Sequence, residues 1–172
     1  MSGLDDPGES ARMRFDGGCA CRSVRFRMSG RPRVVHCRHC RRCQGESGTA
    51  FALHAMIEAD RVMVFAGAPE AVTTPSANGK GQRIWRCPTC RVAVWSNYGG
   101  GGDAVRFVGA VDEPDRLPSD SHIDTASKQP WVVLPAAAVA FTDYDDAETS
   151  WSQASLDRRA VLRTRLRADK LA

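Results

Sequence analysis

The residues of this 172-residue sequence that point most directly to chemistry are its seven cysteines. Four of them form two close pairs, Cys19-Ala20-Cys21 and Cys87-Pro88-Thr89-Cys90, which lie far apart in the sequence. Zinc in structural sites is held tetrahedrally by four such ligands, and CxxC is a common way for one turn to offer two of them. The CxC spacing of the first pair is tighter than usual for zinc. We nevertheless expect Cys19, Cys21, Cys87 and Cys90 to close one structural zinc site that contributes directly to folding.

The other three cysteines stand in the run His36–Cys43, as a CxxCxxC string. Three thiolates could hold a second zinc ion with one position open, which is the arrangement that distinguishes catalytic zinc from structural zinc. On this interpretation Cys37, Cys40 and Cys43 are the metal ligands and the catalytic residues. His39 is then a further ligand, a group that orients one, or part of the scaffold.

Arginines are concentrated around this run, because residues 31–43 contain five arginines and no acidic side chain. Arg38, Arg41 and Arg42 could offset the negative charge of three thiolates on zinc and bind a carboxylate of the ligand in a bidentate manner. Alternatively, these arginines simply face solvent. The net charge of the whole chain is only +4, which by itself says little about nucleic-acid binding.

The order of these motifs resembles the glutathione-dependent formaldehyde-activating (GFA) family, which also includes centromere protein V. The matching segments are Gly18–Cys21, His39–Cys43 continuing into Ser47–Phe51, Cys87–Cys90, Val108–Pro114 and His122–Trp131. The resemblance implies a mostly β fold, the Mss4-like β-tent, in which zinc clamps β-hairpins together. It also implies that the four paired cysteines hold the structural zinc.

The sequence departs from the family pattern in its second cluster, which reads Cys-His-Cys-x-x-Cys in the family. Alignment on Cys40 and Cys43 puts Arg38 in place of the first cysteine, with Cys37 one residue early. Alignment on Cys37 and Cys40 instead puts Val35 at that place and leaves Cys43 as an extra residue. The first alignment agrees better with the Ser-Gly-Thr-Ala-Phe run that follows. In either alignment the second metal site is altered.

A second departure is Arg91, where the family usually has glycine after the CxxC. A turn with positive φ at this position would be strained without glycine. The departure affects the local turn and leaves the cysteine ligands in place.

The resemblance implies a zinc-dependent carbon–sulfur lyase that joins glutathione, or a similar thiol, to formaldehyde or a related small aldehyde. Zinc lowers the pKa of a bound thiol, so that the thiolate can attack a carbonyl carbon near pH 7. No pattern identifies a general base, and His122 and Asp124 receive no role. The alternatives are a zinc-stabilised module that binds nucleic acid or a protein, and a glutathione carrier without turnover. Steep salt dependence of nucleic-acid binding would identify the binding module.

These motifs need a scaffold of short strands. Apolar and charged or polar residues alternate in Ser23–Met28, which is the period of a half-buried strand. Further strands are expected at Ala50–Ile57, Arg61–Phe65, Gln82–Arg86, Val92–Ser96, Ala104–Val108 and Trp131–Leu134. The run Gly99–Gly102 is expected to be a flexible hairpin loop rather than a phosphate-binding loop.

The length and a composition of 42% hydrophobic and 26% charged residues indicate one globular domain with terminal extensions. We expect a disordered tail over residues 1–12, a zinc-binding β domain over 13–143 and a C-terminal helical extension over 144–172. The helix is predicted from Ser150 and Gln153, which resemble a capping box, and from Leu162 and Leu166 at i, i+4 spacing.

The sequence also bears on location. Its longest apolar stretch is far shorter than the roughly 20 residues of a membrane helix, and its acidic N-terminus is unlike a signal peptide. We therefore expect a cytoplasmic protein with no membrane partner, in which thiols stay reduced and closely spaced cysteines bind metal. The sequence does not indicate an oligomeric state.

Overall fold

The computed structural model describes residues 12–76, 79–98 and 105–168, and most of its regular structure is strand. The strands are β1 Arg14–Gly18, β2 Arg25–Ser29, β3 Val34–Arg38, β4 Ala52–Glu58, β5 Val62–Ala66, β6 Glu70–Thr74, β7 Gln82–Arg86, β8 Ala93–Tyr98, β9 Val105–Val108 and β10 Ser121–Ile123. The helices are α1 Arg41–Ser47, α2 Ala147–Ser150 and α3 Gln153–Ala168, with 3₁₀ turns at Ala59–Arg61, Pro114–Arg116 and Thr125–Ser127. The expectation of a mostly β fold with a C-terminal helix is confirmed.

The strands form two sheets. The smaller sheet has the order β1-β2-β5, and the larger has the order β10-β3-β4-β9-β8-β7-β6. All described strand pairs are antiparallel except β10 with β3, which are parallel and place His122 opposite Cys37. This register brings a segment near residue 122 beside the cysteine run.

The hydrophobic core lies between the two sheets. The smaller sheet contributes Phe15, Phe26 and Met28, each at most 2% exposed. The larger sheet contributes side chains that alternate with residues of its other face; these are Val35, Ala55, Ile57, Trp95 and Val108. Phe26 meets Trp95 edge to face with ring centroids 5.7 Å apart. Each fully buried aromatic or aliphatic side chain of this size contributes about 2 kcal/mol.

The C-terminal segment covers the opposite face of β3 and β4. Ser155 Oγ donates to Arg33 O at 2.6 Å, and the Arg158 guanidinium pairs with the Glu58 carboxylate. Both contacts lie at the start of α3, so the helix packs on the sheet along its first turns.

Six of the predicted strands are confirmed within a few residues, as β2, β4, β5, β7, β8 and β9. The strand predicted at Trp131–Leu134 is wrong. This segment is a turn in which the Val132 N–H donates to Gln129 O at 3.0 Å, and Trp131 and Val133 are 69% and 88% exposed. Prolines flank it at positions 130 and 135, and proline cannot donate to a sheet.

The predicted capping box is also wrong. Ser150 ends α2, and its hydroxyl donates to Asp145. Ser152 caps α3 instead, since its Oγ accepts from the Ser155 N–H at 3.3 Å. The predicted glycine loop at 99–102 and the predicted tail at 1–12, apart from Arg12, lie outside the described residues.

Within the described part of the chain, no helix has both the length and the apolar character needed to cross a bilayer.

Candidate metal centre and adjoining cavity

Two hairpin turns bring the four paired cysteines together. The turn between β1 and β2 carries Cys19 and Cys21, and the turn between β7 and β8 carries Cys87 and Cys90. Cys19 and Cys87 each donate a backbone hydrogen bond across their own hairpin, at 3.1 and 3.0 Å. The four sulfur atoms all lie within 4.8 Å of one another, with Cys21 Sγ 3.4 Å from Cys19 Sγ and 3.7 Å from Cys87 Sγ.

Each cysteine turn ends on an arginine in the left-handed region. Arg22 has φ 63° and Arg91 has φ 62°. Their backbone N–H groups donate to Cys19 O and Cys87 O, each at 3.0 Å. The positive φ considered at Arg91 is therefore present, and Arg22 adopts the same conformation in the other turn.

Hydrogen bonds favour the thiolate form of two cysteines of this cluster, Cys21 and Cys87. Hydrogen bonding from Ser23 lowers the pKa of Cys21 to about 6. The Cys90 N–H lowers the pKa of Cys87, whereas burial raises the pKa of Cys19. Four convergent sulfurs, three of which accept backbone hydrogen bonds, suit zinc, which binds deprotonated thiols. The cluster could therefore hold zinc between the two hairpins.

A second group of candidate ligands joins Cys37 to two histidines. Cys37 Sγ and ring nitrogens of His39 and His122 lie within 4.8 Å of one another. His39 Nε2 is 3.0 Å from His122 Nδ1, and the two rings stack with centroids 5.3 Å apart. Burial raises the pKa of Cys37 to about 11 and lowers the pKa of both histidines. These three residues could also hold a metal ion.

Cys40 and Cys43 are joined to each other by a disulfide, with Cα atoms 5.2 Å apart. Cys40 is the N-terminal cap of α1, and its Sγ accepts from the Cys43 N–H at 3.1 Å. The structure thus groups Cys37 with His39 and His122 and pairs the other two cysteines. A metal shared by Cys37, Cys40 and Cys43 requires the reduced pair and stays a prediction.

A cavity of about 290 Å³ lies beside Cys43, between α1 and the larger sheet. Phe51, Ile84 and Trp95 give it an apolar wall, and Arg42 and Glu46 line it from α1. This volume and mixture of surfaces are typical of a small-molecule site.

Two titratable side chains of the sheet also line the cavity, His54 and Tyr98. Burial, with a further effect of Arg38, lowers the pKa of His54 to about 3. Burial raises the pKa of Tyr98, so its hydroxyl keeps its proton at neutral pH. The cavity therefore presents a neutral imidazole and a neutral phenol to a ligand.

The three arginines predicted to bind a ligand lie in different surroundings. Arg38 is only 11% exposed, donates to Asp124 at 3.1 Å and to Tyr98 Oη at 2.6 Å, and so has fixed partners. Arg41 is exposed and donates to Gln44 Oε1 at 3.2 Å. Arg42 lines the cavity and has no hydrogen-bond or ion-pair partner among the described residues.

Sequence reasoning left His122 and Asp124 without a role. The structure places His122 against His39 and Asp124 against Arg38. The sequence feature that could have placed these two residues at the site is their His-x-Asp spacing, in a segment that resembles the family. Their partners were not predictable, because the parallel pairing of β10 with β3 sets the contacts.

Comparison with known proteins gives one family. The family model described as glutathione-dependent formaldehyde-activating enzyme matches residues 14–127, about two thirds of the chain. No curated protein is similar in sequence at a significant level. Among solved structures, a structural-genomics crystal structure of a Rhodobacter sphaeroides protein is similar with a TM-score of 0.42 and 16% identity, over 60% of this chain and 96% of that chain.

Proposed function

Because the chain belongs to the family of glutathione-dependent formaldehyde-activating enzymes, we propose that it joins glutathione, or a similar thiol, to formaldehyde or a related small aldehyde. The observation that carries the proposal is that every residue lining the cavity falls within the matched range. We place the reaction in this cavity. We also place the protein in the cytoplasm, where glutathione is abundant.

The proposed reaction is a carbon–sulfur lyase reaction written in the direction of synthesis. The thiol gives up its proton, its sulfur attacks the carbonyl carbon, and the carbonyl oxygen takes up a proton to give a hydroxyalkyl thioether. Arg42 binds a carboxylate of glutathione, because this arginine lines the cavity and has no partner among the described residues. Tyr98 donates a hydrogen bond to the carbonyl oxygen, since burial keeps its hydroxyl protonated.

We propose that zinc is held at the four-cysteine cluster as a structural ion. In the reduced protein, Cys37, Cys40 and Cys43 are the proposed ligands of a second ion beside the cavity. Such an ion, when bound, lowers the pKa of a coordinated thiol. The apolar wall formed by Phe51, Ile84 and Trp95 limits access of water to the attacking sulfur.

The test uses the reduced, zinc-supplemented protein with glutathione and formaldehyde. Adduct formation is followed by exchange NMR, and zinc per chain is measured in parallel. We expect exchange faster than the uncatalysed rate, and loss of both this acceleration and the second zinc in Cys40→Ser. A wild-type protein with a single zinc and no acceleration would contradict the proposed function.

A second comparison tests the cavity itself. We expect Arg42→Ala to raise the KM for glutathione about tenfold, since a charge-assisted hydrogen bond contributes about 1.5–3 kcal/mol. Arg165→Ala is the matched control, because Arg165 is exposed on α3 and pairs only loosely with Asp60 at 3.6 Å. Equal KM values for the two variants would remove Arg42 from the binding site.

A further inference from the structure

The apolar wall of the cavity has no matching group in either substrate of the proposed reaction. Formaldehyde has one carbon and no apolar substituent, and glutathione is a tripeptide with charged ends and polar amide groups. We propose that the aldehyde substrate carries an apolar chain or ring of about four to six carbons, and that the wall formed by Phe51, Ile84 and Trp95 binds this substituent. The inference rests on the proposed function, since it names the class of aldehyde that the same cavity takes.

The first support is the breadth of the apolar lining. Phe51 stands directly before β4, and Leu53, Ile84 and Trp95 lie on β4, β7 and β8. These strands belong to one sheet, in the order β4-β9-β8-β7. Because neighbouring strands are about 4.8 Å apart, the lining extends across about 14 Å. A one-carbon aldehyde covers only a small part of a surface of this breadth, whereas a hydrocarbon chain covers much more of it.

The second support is the size of the cavity. Its volume of about 290 Å³ has room for roughly ten water-sized groups, since one water molecule occupies about 30 Å³ of the liquid. Formaldehyde and the Cβ and Sγ atoms of the glutathione cysteine fill about four of these positions, and about six are left for a substituent. Small residues of the lining keep this space open, namely Ala52, Ala93, Gly109 and Ala110.

The third support is that the wall is preformed and partly open to water. Ile84 and Trp95 are at most 4% exposed, so the sheet fixes their positions. Phe51 is 41% exposed, although it is a large aromatic side chain that lines a cavity. A chain that packs against Phe51 removes this apolar surface from water, and each buried methylene raises the affinity about fourfold. Formaldehyde gains nothing from the same wall.

The reaction forms the same bonds with such an aldehyde. The thiol of glutathione loses its proton, its sulfur forms a bond to the carbonyl carbon, and the π-electron pair of the carbonyl moves to the oxygen. The oxygen takes up one proton, so the product is an S-(1-hydroxyalkyl)glutathione and no oxidant or reductant is consumed. Tyr98 lines the same cavity and donates to the oxygen, as in the proposed function. The alkyl group of the product stays on the apolar wall.

The first experiment measures the binding of two stable product analogues, S-methylglutathione and S-hexylglutathione, by isothermal titration calorimetry. The reduced, zinc-supplemented, full-length protein is used. The two ligands share the same peptide and differ by five methylenes, so the difference in affinity reports the apolar contact alone. We expect S-hexylglutathione to bind about a hundredfold more tightly and with a more negative heat-capacity change. Equal dissociation constants would overturn the proposal.

The second experiment follows adduct formation between glutathione and formaldehyde, propanal, hexanal or benzaldehyde by exchange NMR. Each rate is expressed as an acceleration over the uncatalysed reaction, because the aldehydes differ in intrinsic reactivity. We expect the acceleration to be about tenfold larger for hexanal and benzaldehyde than for formaldehyde. An acceleration that is largest for formaldehyde would overturn this inference and leave the proposed function intact. No acceleration with any aldehyde would overturn both.

Variants test whether the wall binds the substituent. Phe51→Ala should lower the ratio of the hexanal acceleration to the formaldehyde acceleration about tenfold and weaken the binding of S-hexylglutathione by a similar factor. Phe65→Ala is the matched control, because Phe65 is 49% exposed and lies on β5 of the smaller sheet. Ala93→Leu should lower the same ratio, since a larger side chain at this position takes up part of the cavity.

Equal ratios in Phe51→Ala and Phe65→Ala would show that the substituent does not bind on this wall, which would overturn the proposal. The two measurements on the wild-type protein decide the inference even if a variant fails to fold.

Discussion

At the scale of single residues, Arg22 and Arg91 occupy the same place, directly after the second cysteine of each paired turn. Both have φ near 60°. A non-glycine residue in this region costs about 1 kcal/mol or more. The two hairpins therefore keep strained arginines where glycine would fit without strain.

This strain predicts that Arg91→Gly stabilises the zinc-loaded protein. We expect the free energy of unfolding to rise by about 0.5–1 kcal/mol, because relief of strain exceeds the entropy that glycine adds to the unfolded chain. The exposed pair that Arg91 forms with Glu70 at 3.1 Å contributes little. Urea denaturation measures the change. Arg91→Ala is the control, since alanine loses the same contacts but keeps the strain; equal stability of the two variants would contradict the explanation.

His54 predicts how stability depends on pH. Its pKa is lowered to about 3 by burial, with smaller effects of Arg38 and His36. As the pH falls, His54 takes up a proton in the unfolded chain before it does so in the folded protein. Protonation therefore favours the unfolded chain, and the folded protein loses stability as the pH falls below about 6.5. If the whole shift applied, the free energy of unfolding would fall by about 2 kcal/mol between pH 6.5 and pH 5. We expect a smaller fall, because His54 lines the cavity.

The measurement is the free energy of unfolding of the wild type and of His54→Gln from pH 7 to pH 5. The variant should lose less stability over this range. Parallel curves for the two proteins would show that His54 is not the group responsible.

At the scale of elements, the C-terminal segment is attached to the sheet by buried polar contacts. The Asp145 carboxylate accepts from His36 Nε2 at 3.1 Å, from Trp151 Nε1 at 2.7 Å and from Ser150 Oγ at 3.0 Å. Burial raises the pKa of Asp145, but these donors outweigh burial and lower it overall. The carboxylate therefore stays charged and holds α2 against β3.

Truncation after Asp146 tests what this attachment does. It removes Trp151, the Ser155 bond to Arg33 just before β3, and the Arg158 pair with Glu58. We expect the free energy of unfolding to fall by about 3–5 kcal/mol, since the buried carboxylates of Asp145 and Glu58 each lose charge-assisted hydrogen bonds and keep only part of their partners. Zinc per chain should stay unchanged, because the metal ligands lie on other elements. Loss of zinc in a folded truncated chain would show that the segment supports the metal centre.

Alternation of apolar and polar residues along the chain predicted β2. Its apolar residues alternate with arginines, which is the pattern of a half-buried strand. β3 was missed because four of its five residues are buried, between the core and the C-terminal segment, so alternation is lost. β6 was missed for the opposite reason, as it is exposed along most of its length. Trp131–Leu134 is apolar yet exposed, so hydrophobicity alone gave a false strand.

At the scale of the whole molecule, the four-cysteine cluster joins the two sheets. Cys19 and Cys21 follow β1 of the smaller sheet, and Cys87 and Cys90 follow β7 of the larger one. The spacing of the two pairs was enough to predict this set. The group of Cys37, His39 and His122 was not predictable, because His122 reaches Cys37 only through parallel pairing across 85 residues.

Cys87→Ser tests the role of the cluster in stability. A four-cysteine zinc site contributes on the order of 10 kcal/mol, comparable with the whole stability of a domain of this size. We therefore expect the variant to unfold or become insoluble, as measured by circular dichroism and zinc content. Cys40→Ser should keep its fold and this zinc. A soluble Cys87→Ser protein that unfolds cooperatively and retains zinc would refute the assignment.

The distance in sequence between the two cysteine turns has a consequence for folding kinetics. Cys21 and Cys87 are 66 residues apart, and closing a loop of this length costs about 4 kcal/mol of chain entropy. Each hairpin can capture a zinc ion on its own pair before the sheets meet. With one zinc ion per chain, the ion bound by one cysteine pair is then coordinated by the other pair. With excess zinc, each pair binds its own ion, and one ion must dissociate before the four cysteines can share the other. Stopped-flow refolding followed by tryptophan fluorescence should therefore be faster at one equivalent of zinc than at ten, and a rate independent of excess zinc would mean that the sheets dock before either pair binds metal.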